Sequence, residues 1–251
     1  MGRIIVTTCG TSLLESSCWQ LSDDEQKTYQ FSLISELKNR KADKNEIYAK
    51  KAQWTSWING FMNTTNGTDL LAQKFNEYFW NNNNLIDLPA ELASLRAIQL
   101  YFDKVLKNSL TGEDKIVLLH STAFNQNNEG PFCAEVIKNI TYNLLPTQLE
   151  KKEIPNLNPL DRINFENGLR GMENYVRDLI SESTNRLFLN LTAGYKAFAI
   201  QLAGLAAKYL GVTIFYLYEE TDCDQLTTIK FKEEQGQFRS EVHITSMSSL
   251  V

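Results

Sequence analysis

Arg3-Ile-Ile-Val-Thr-Thr-Cys-Gly-Thr-Ser12 decides the fold of this chain. Its first half is β-branched and continuous rather than alternating, which reads as a strand buried on both faces. Cys9-Gly-Thr-Ser12 then reads as a turn. The same design recurs further on. Lys115-Ile-Val-Leu-Leu-His120 runs into the polar loop that begins Ser121-Thr122. Arg186-Leu-Phe-Leu-Asn190 runs into the tight turn Thr192-Ala-Gly-Tyr-Lys196, and Val212-Thr-Ile-Phe-Tyr-Leu217 is a fourth strand of the same kind.

Helical segments separate these runs. One opens at Pro89 and extends to about Lys107, a second starts at Pro131, and a third lies within Pro159 to Ser181. A small-residue helix spans Ala197 to Leu210 and stops at Gly211. Ser22 to Lys51 and Asp69 to Trp80 are also helix-competent, with loops at Thr64–Thr68 and Asn81–Asn84. Gln148 to Ile154 alternates weakly and reads as a further strand, and Leu226 to Thr245 alternates like a hairpin around Gln235-Gly236. Alternating strands and helices with apolar strands predict an α/β fold, Rossmann-like and doubly wound, on a mainly parallel sheet. No composition break or repeat divides the chain. It is expected to be a single domain over residues 1–251, with 222–251 as a C-terminal β-hairpin elaboration.

The 251 residues are 43% hydrophobic and 22% charged, ordinary for a globular protein. The net charge of −5 argues against binding long nucleic acid, which needs a basic face. The one dense cationic run, Lys38 to Lys51, reads as a solvated helix face. Four scattered cysteines and two histidines offer no zinc spacing, so no metal is expected and no cofactor is called for. No signal-peptide pattern and no run of 18 apolar residues is seen, so a cytoplasmic protein with free thiols and no membrane span is expected. The glycine fingerprints of dinucleotide-binding and P-loop proteins are both missing.

A parallel sheet puts ligands at the carboxyl ends of its strands. Three polar clusters fall at such ends: Thr8-Cys-Gly-Thr-Ser12, His120-Ser-Thr122 and Asn190-Leu-Thr-Ala-Gly-Tyr-Lys196. Their residue types suit phosphate. Gly10 and Gly194 admit close backbone approach. Thr11, Ser12 and Thr192 supply hydroxyls, and Lys196 supplies a cation where a helix begins. His120 reads as a satisfied strand-end histidine and Cys9 as a small packing residue. The candidate ligand-binding residues are Gly10, Thr11, Ser12, Ser121, Thr122, Asn190, Thr192, Ala193, Gly194, Tyr195 and Lys196.

These segments resemble a known family. Ile4-Ile-Val-Thr-Thr-Cys-Gly-Thr-Ser-Leu-Leu14 looks like the opening strand and loop of CARF domains, the sensors of type III CRISPR systems. Leu189-Asn-Leu-Thr-Ala-Gly-Tyr-Lys-Ala197 is similar to their second signature, a strand ending in Asn-x-Thr-Gly-Gly-x-Lys. Pro89-Ala-Glu-Leu-Ala-Ser-Leu95 and Glu129-Gly-Pro-Phe-Cys-Ala-Glu135 also look like the family, and the resemblance spans residues 3–218. Two departures stand out. Ala193 replaces the first glycine of the usual pair, and Tyr195 follows the second, where its ring would stack on an adenine or line the pocket.

The resemblance implies a cyclic oligoadenylate ligand bound across a homodimer, with tetraadenylate the preferred ring. A symmetric ring matched to a two-fold dimer uses the same patch twice. An appended HEPN ribonuclease would need Arg-x-x-x-x-His, which is not present, and with about 30 residues after the fourth strand no separate nuclease domain is expected. The chain therefore looks like a stand-alone ring nuclease, the branch that degrades the messenger. The implied reaction is metal-independent attack of a ribose 2′-hydroxyl on the adjacent phosphorus, giving linear products with 2′,3′-cyclic phosphate ends. Ser12 and Lys196 are the implied catalytic pair, Ser12 to position the ribose or phosphate and Lys196 to stabilise developing charge. The alternative is a non-catalytic sensor acting through a partner or DNA. A more distant one is a Rossmann-like enzyme of another nucleotide.

Overall fold

A computed structural model describes residues 2–10, 12–14, 43, 46, 49, 85, 88–122, 129–157, 162–182, 186–194, 196–218 and 224–250. The segments expected at 64–68, 69–80 and 81–84 lie outside these residues, as does nearly all of 22–51. The described strands are β1 (Ile4–Thr8), β2 (Lys115–Ser121), β3 (Gln148–Ile154), β4 (Leu187–Asn190), β5 (Thr213–Tyr218), β6 (Gln225–Glu234) and β7 (Gln237–Ser246). The α-helices are α1 (Ala90–Leu100), α2 (Glu129–Leu144), α3 (Arg162–Glu182) and α4 (Lys196–Ala206). A 3₁₀ turn covers Ser12–Leu14, and α1 runs on into a π-helical turn at Tyr101–Val105.

The seven strands form one sheet in the order β3-β2-β1-β4-β5-β6-β7. The pairs β1–β2, β1–β4, β2–β3 and β4–β5 are parallel, whereas β5–β6 and β6–β7 are antiparallel. The chain thus winds outward from β1 to β3, returns to β4 on the other side of β1, and continues outward. Strand order reverses at β1 and β4, which makes their carboxyl ends the switch point of a doubly wound sheet. The expected mainly parallel α/β architecture with a terminal hairpin is the one observed.

Alternate residues of each strand feed two cores. On one face Ile5, Ile116, Leu118, Phe215 and Leu217 pack with α1 and α2. On the other, Val6, Val117, Leu119, Leu189 and Ile214 pack with α3 and α4. This two-sided burial is why the central strands have no polar alternation. β3 differs because it is an edge strand. It carries Glu150, Lys151, Lys152 and Glu153, and ion pairs Lys115–Glu150 and Lys151–Glu135 tie it to β2 and α2.

Two local features explain the ends of elements. Gln235 (φ 54°) and Gly236 (φ 76°) both have left-handed backbone between the paired residues Glu234 and Gln237. That is the two-residue turn whose twist suits a hairpin. At the amino edge, the Arg3 guanidinium donates to both carboxylate oxygens of Asp114, at 2.9 and 2.6 Å. It also reaches the carbonyls of Asn108 and Ser109 and lies 4.5 Å from the Phe102 ring centre. This clamp locks β1 to the segment leading into β2, at the sheet edge opposite the switch point.

Candidate functional site

The parallel register sets the three polar clusters side by side. Thr7 is opposite Asn190, and Thr8 is opposite Leu119. One bond beyond the strand, the Cys9 N–H donates to the Leu119 carbonyl at 2.7 Å. The loops after β1, β2 and β4 therefore leave the sheet along one edge.

The first and third loops touch. A methyl placed on Gly10 would lie 2.9 Å from the Gly194 Cα and 3.1 Å from its nitrogen. Gly194 has φ +88°, and a methyl there would lie 3.1 Å from the Thr8 side chain. Both positions need glycine, Gly10 for space and Gly194 for space and conformation. The Thr8 hydroxyl donates to the Ala193 carbonyl and fixes the turn from below. Ala193 is buried and outside the left-handed region, so its methyl is accommodated where the resembled motif has glycine.

Asn190 is fully buried, and its amide is committed within the protein. Its Nδ2 donates to the Ser94 hydroxyl at 2.7 Å and to Thr7 at 3.4 Å, while its Oδ1 accepts from the Thr192 N–H at 3.3 Å. Thr192 Oγ1 accepts from the Leu217 N–H at 2.9 Å. These two residues shape the turn from within. Lys196 is the first residue of α4 and is exposed, two positions beyond Gly194. Thr11 and Tyr195 lie outside the described residues.

Ser121 and Thr122 are half-buried where β2 ends. Gly130, in the first turn of α2, presses against Ser121: a methyl there would lie 2.6 Å from the Ser121 hydroxyl. His120 is buried, with Nδ1 3.0 Å from the Ser121 carbonyl.

A residue outside the expected set holds the first loop. Glu91, in the first turn of α1, is fully buried. Its Oε1 accepts from the Gly10 N–H at 2.7 Å, and its Oε2 accepts from the Ser12 hydroxyl. Ser12 Oγ in turn accepts from the Ala90 N–H at 3.1 Å. The first six residues of α1 are all buried, so this helix brings its carboxylate beneath the loop. Burial and, next, the Glu91 charge push the Cys9 thiol well above its ordinary value. Cys9 is a packing residue in the first core, not a thiolate.

Such a site can hold an anion. Lys196 stands exposed at a helix start and supplies the charge, while Ser12 is partly exposed after the first loop with its hydroxyl bonded to Glu91. Fold and site together define a Rossmann-like α/β protein with a candidate ligand site at its switch point. A family model for CRISPR-associated protein (Cas_APE2256) matches residues 87–224, and the chain belongs to this CRISPR-associated family. The match runs from the start of α1 through β5 and so contains Glu91, Ser121 and Asn190 to Lys196. No curated protein matches the chain. Among the described residues no helix is long and apolar enough to cross a membrane.

Proposed function

We propose that this protein is a CARF-type ring nuclease that binds cyclic oligoadenylate, tetraadenylate in the first instance, across a homodimer and cleaves it. The observation that carries the reading is the contact between Gly10 and Gly194. It brings together two loops 184 positions apart, Ser12 following Gly10 by two residues and Lys196 following Gly194 by two. CRISPR-family membership and the resemblance of those two loops to CARF signatures support the same ligand. The reading places the protein in the cytoplasm, where such a messenger acts.

In this reading the loops orient a phosphodiester so that a ribose 2′-hydroxyl lines up with the adjacent phosphorus. Orientation of that kind contributes on the order of 7 kcal/mol or more. The 2′-oxygen–phosphorus bond forms, the bond to the 5′-oxygen breaks, and a 2′,3′-cyclic phosphate remains. Both nucleophile and leaving group belong to the ligand, so the step calls on the protein for alignment, for charge, and for taking the 2′-hydroxyl proton and supplying one to the departing 5′-oxygen. Lys196 stabilises the charge that develops on the phosphate and leaving oxygen.

Symmetry needs a second copy. Ile200, one helical turn beyond Lys196 on the same face of α4, is 74% exposed. The sheet face covered by α4 continues into Tyr216, Tyr218, Val242 and Ile244, all exposed. Exposed apolar area of this kind marks an interaction surface.

The test is incubation of the pure protein with radiolabelled cyclic tetra- and hexaadenylate without added metal, followed by separation of products. Linear adenylates with cyclic phosphate ends are expected. Tight binding with no product would make the protein a sensor, and the absence of both binding and product would rule the ligand out.

A further inference from the structure

We propose that Glu91 is a positioning residue that sets the hydrogen-bond polarity of Ser12, turning its hydroxyl into an acceptor for a hydroxyl group of the ligand. The inference rests on the cyclic-oligoadenylate reading and deepens it. A serine hydroxyl has one proton and two acceptor lone pairs. In Ser12 the proton is directed to Glu91 Oε2, and the Ala90 N–H takes one lone pair. One lone pair remains, on a side chain that is still partly exposed. A phosphate oxygen carries no proton and would meet Ser12 lone pair to lone pair. A ribose 2′-hydroxyl carries one and fits.

Glu91 is well placed to impose this. It is fully buried, and its other oxygen is anchored by the Gly10 N–H at 2.7 Å. The carboxylate therefore cannot swing away from Ser12 without giving up the loop. An ionised carboxylate only accepts, so it always demands the serine proton.

The arrangement also gives the reaction a proton path. As the 2′-oxygen bonds to phosphorus, its proton passes to Ser12 Oγ, and the Ser12 proton passes to the Glu91 carboxylate. The bond to the 5′-oxygen breaks, and that oxygen takes a proton from the Lys196 ammonium. Glu91 then returns its proton through Ser12, and Lys196 regains one from water. Charge and protons balance over the cycle, and no histidine is needed. Ser12 touches the ligand, and Glu91 acts through it.

A binding comparison tests the polarity without relying on turnover. Cyclic tetraadenylate and its 2′-fluoro analogue are titrated against the intact protein and against Glu91→Gln. Fluorine at the 2′ position cannot donate. The intact protein is expected to bind the 2′-fluoro ring about tenfold more weakly than the native ring. Glu91→Gln turns an NH₂ toward Ser12, frees the serine proton and should shrink that preference toward equality. Cleavage by Glu91→Gln should fall about 10²-fold, and adding Glu91→Gln to Ser12→Ala should cost nothing more. Equal affinity of the intact protein for both rings overturns the proposal, even if Glu91→Gln fails to fold. Additive losses in the double variant overturn it too. Failure of the intact protein to bind the native ring is a different result: it removes the ligand itself, and this inference with it.

Discussion

Gly10 and Gly194 meet so closely that a single methyl on Gly10 would fall 2.9 Å from the Gly194 Cα. The obstacle is backbone, which cannot rotate aside as a side chain can. Gly10→Ala must therefore push the two loops apart. It should lower stability by about 1–3 kcal/mol, seen in chemical denaturation. If the proposed ring cleavage is the activity, it should fall about 10²-fold, because the two loops no longer register.

Lys196 should behave in the opposite way. It is exposed at the start of α4, so Lys196→Ala should change stability by no more than about 0.5 kcal/mol. Its cleavage rate should fall roughly 10² to 10³-fold, as for loss of one charge-stabilising donor. Single-turnover kinetics with labelled ring, beside a melting curve, check both halves. Full activity in this variant would take Lys196 out of the chemistry.

The Arg3–Asp114 clamp predicts an acid-sensitive component of stability. Burial pushes the Asp114 carboxyl up, but hydrogen bonds from the Arg3 side chain and backbone and from Thr111 outweigh it. They hold the group below its ordinary 3.8. A depressed carboxylate contributes stability that is present above that ordinary value and is lost as pH falls through the native one. Arg3→Ala should flatten this acid-side slope and cost about 1–3 kcal/mol at neutral pH, because Asp114 loses its charged partner but keeps the backbone N–H donors of residue 3 and Thr111. Denaturation at several pH values reads both effects.

The proposed dimer makes its own prediction. Ile200→Glu places a charge on an exposed apolar position beside Lys196. It should leave the fold intact, since the side chain is already in solvent. It should shift sedimentation from a dimer to a monomer and weaken ring binding together with it. A variant that stays dimeric would move the interface elsewhere.

Much of this architecture is legible along the chain. The runs Ile4–Thr8, Lys115–Ser121 and Leu187–Asn190 are strands buried on both faces, and continuous apolar runs announce that directly; Thr213–Tyr218 reads the same way, although Tyr216 and Tyr218 are exposed on one face. Gln235-Gly236 announces the hairpin through Gly236, which takes left-handed backbone freely, and Gln235 follows it there against its type. β3 is fainter, since an edge strand carries charges that weaken its alternation.

The site is legible only in outline. Motif order brings the loops of Gly10 and Lys196 to one edge, and the parallel register explains why. What each side chain does there depends on packing. Asn190 reads as a ligand group from its position, yet its amide faces Ser94, Thr7 and Thr192. Glu91 is the reverse case. An acidic residue in a first helical turn is ordinarily explained by the helix dipole. Only burial of the whole first turn of α1 beneath the loop turns it into the partner of Gly10 and Ser12.

The most direct check is calorimetric titration of the intact protein with cyclic tetraadenylate, with the number of rings bound per chain as the readout. A shared floor doubled by symmetry predicts one ring for every two chains. One ring per chain, or no heat of binding at all, would contradict it.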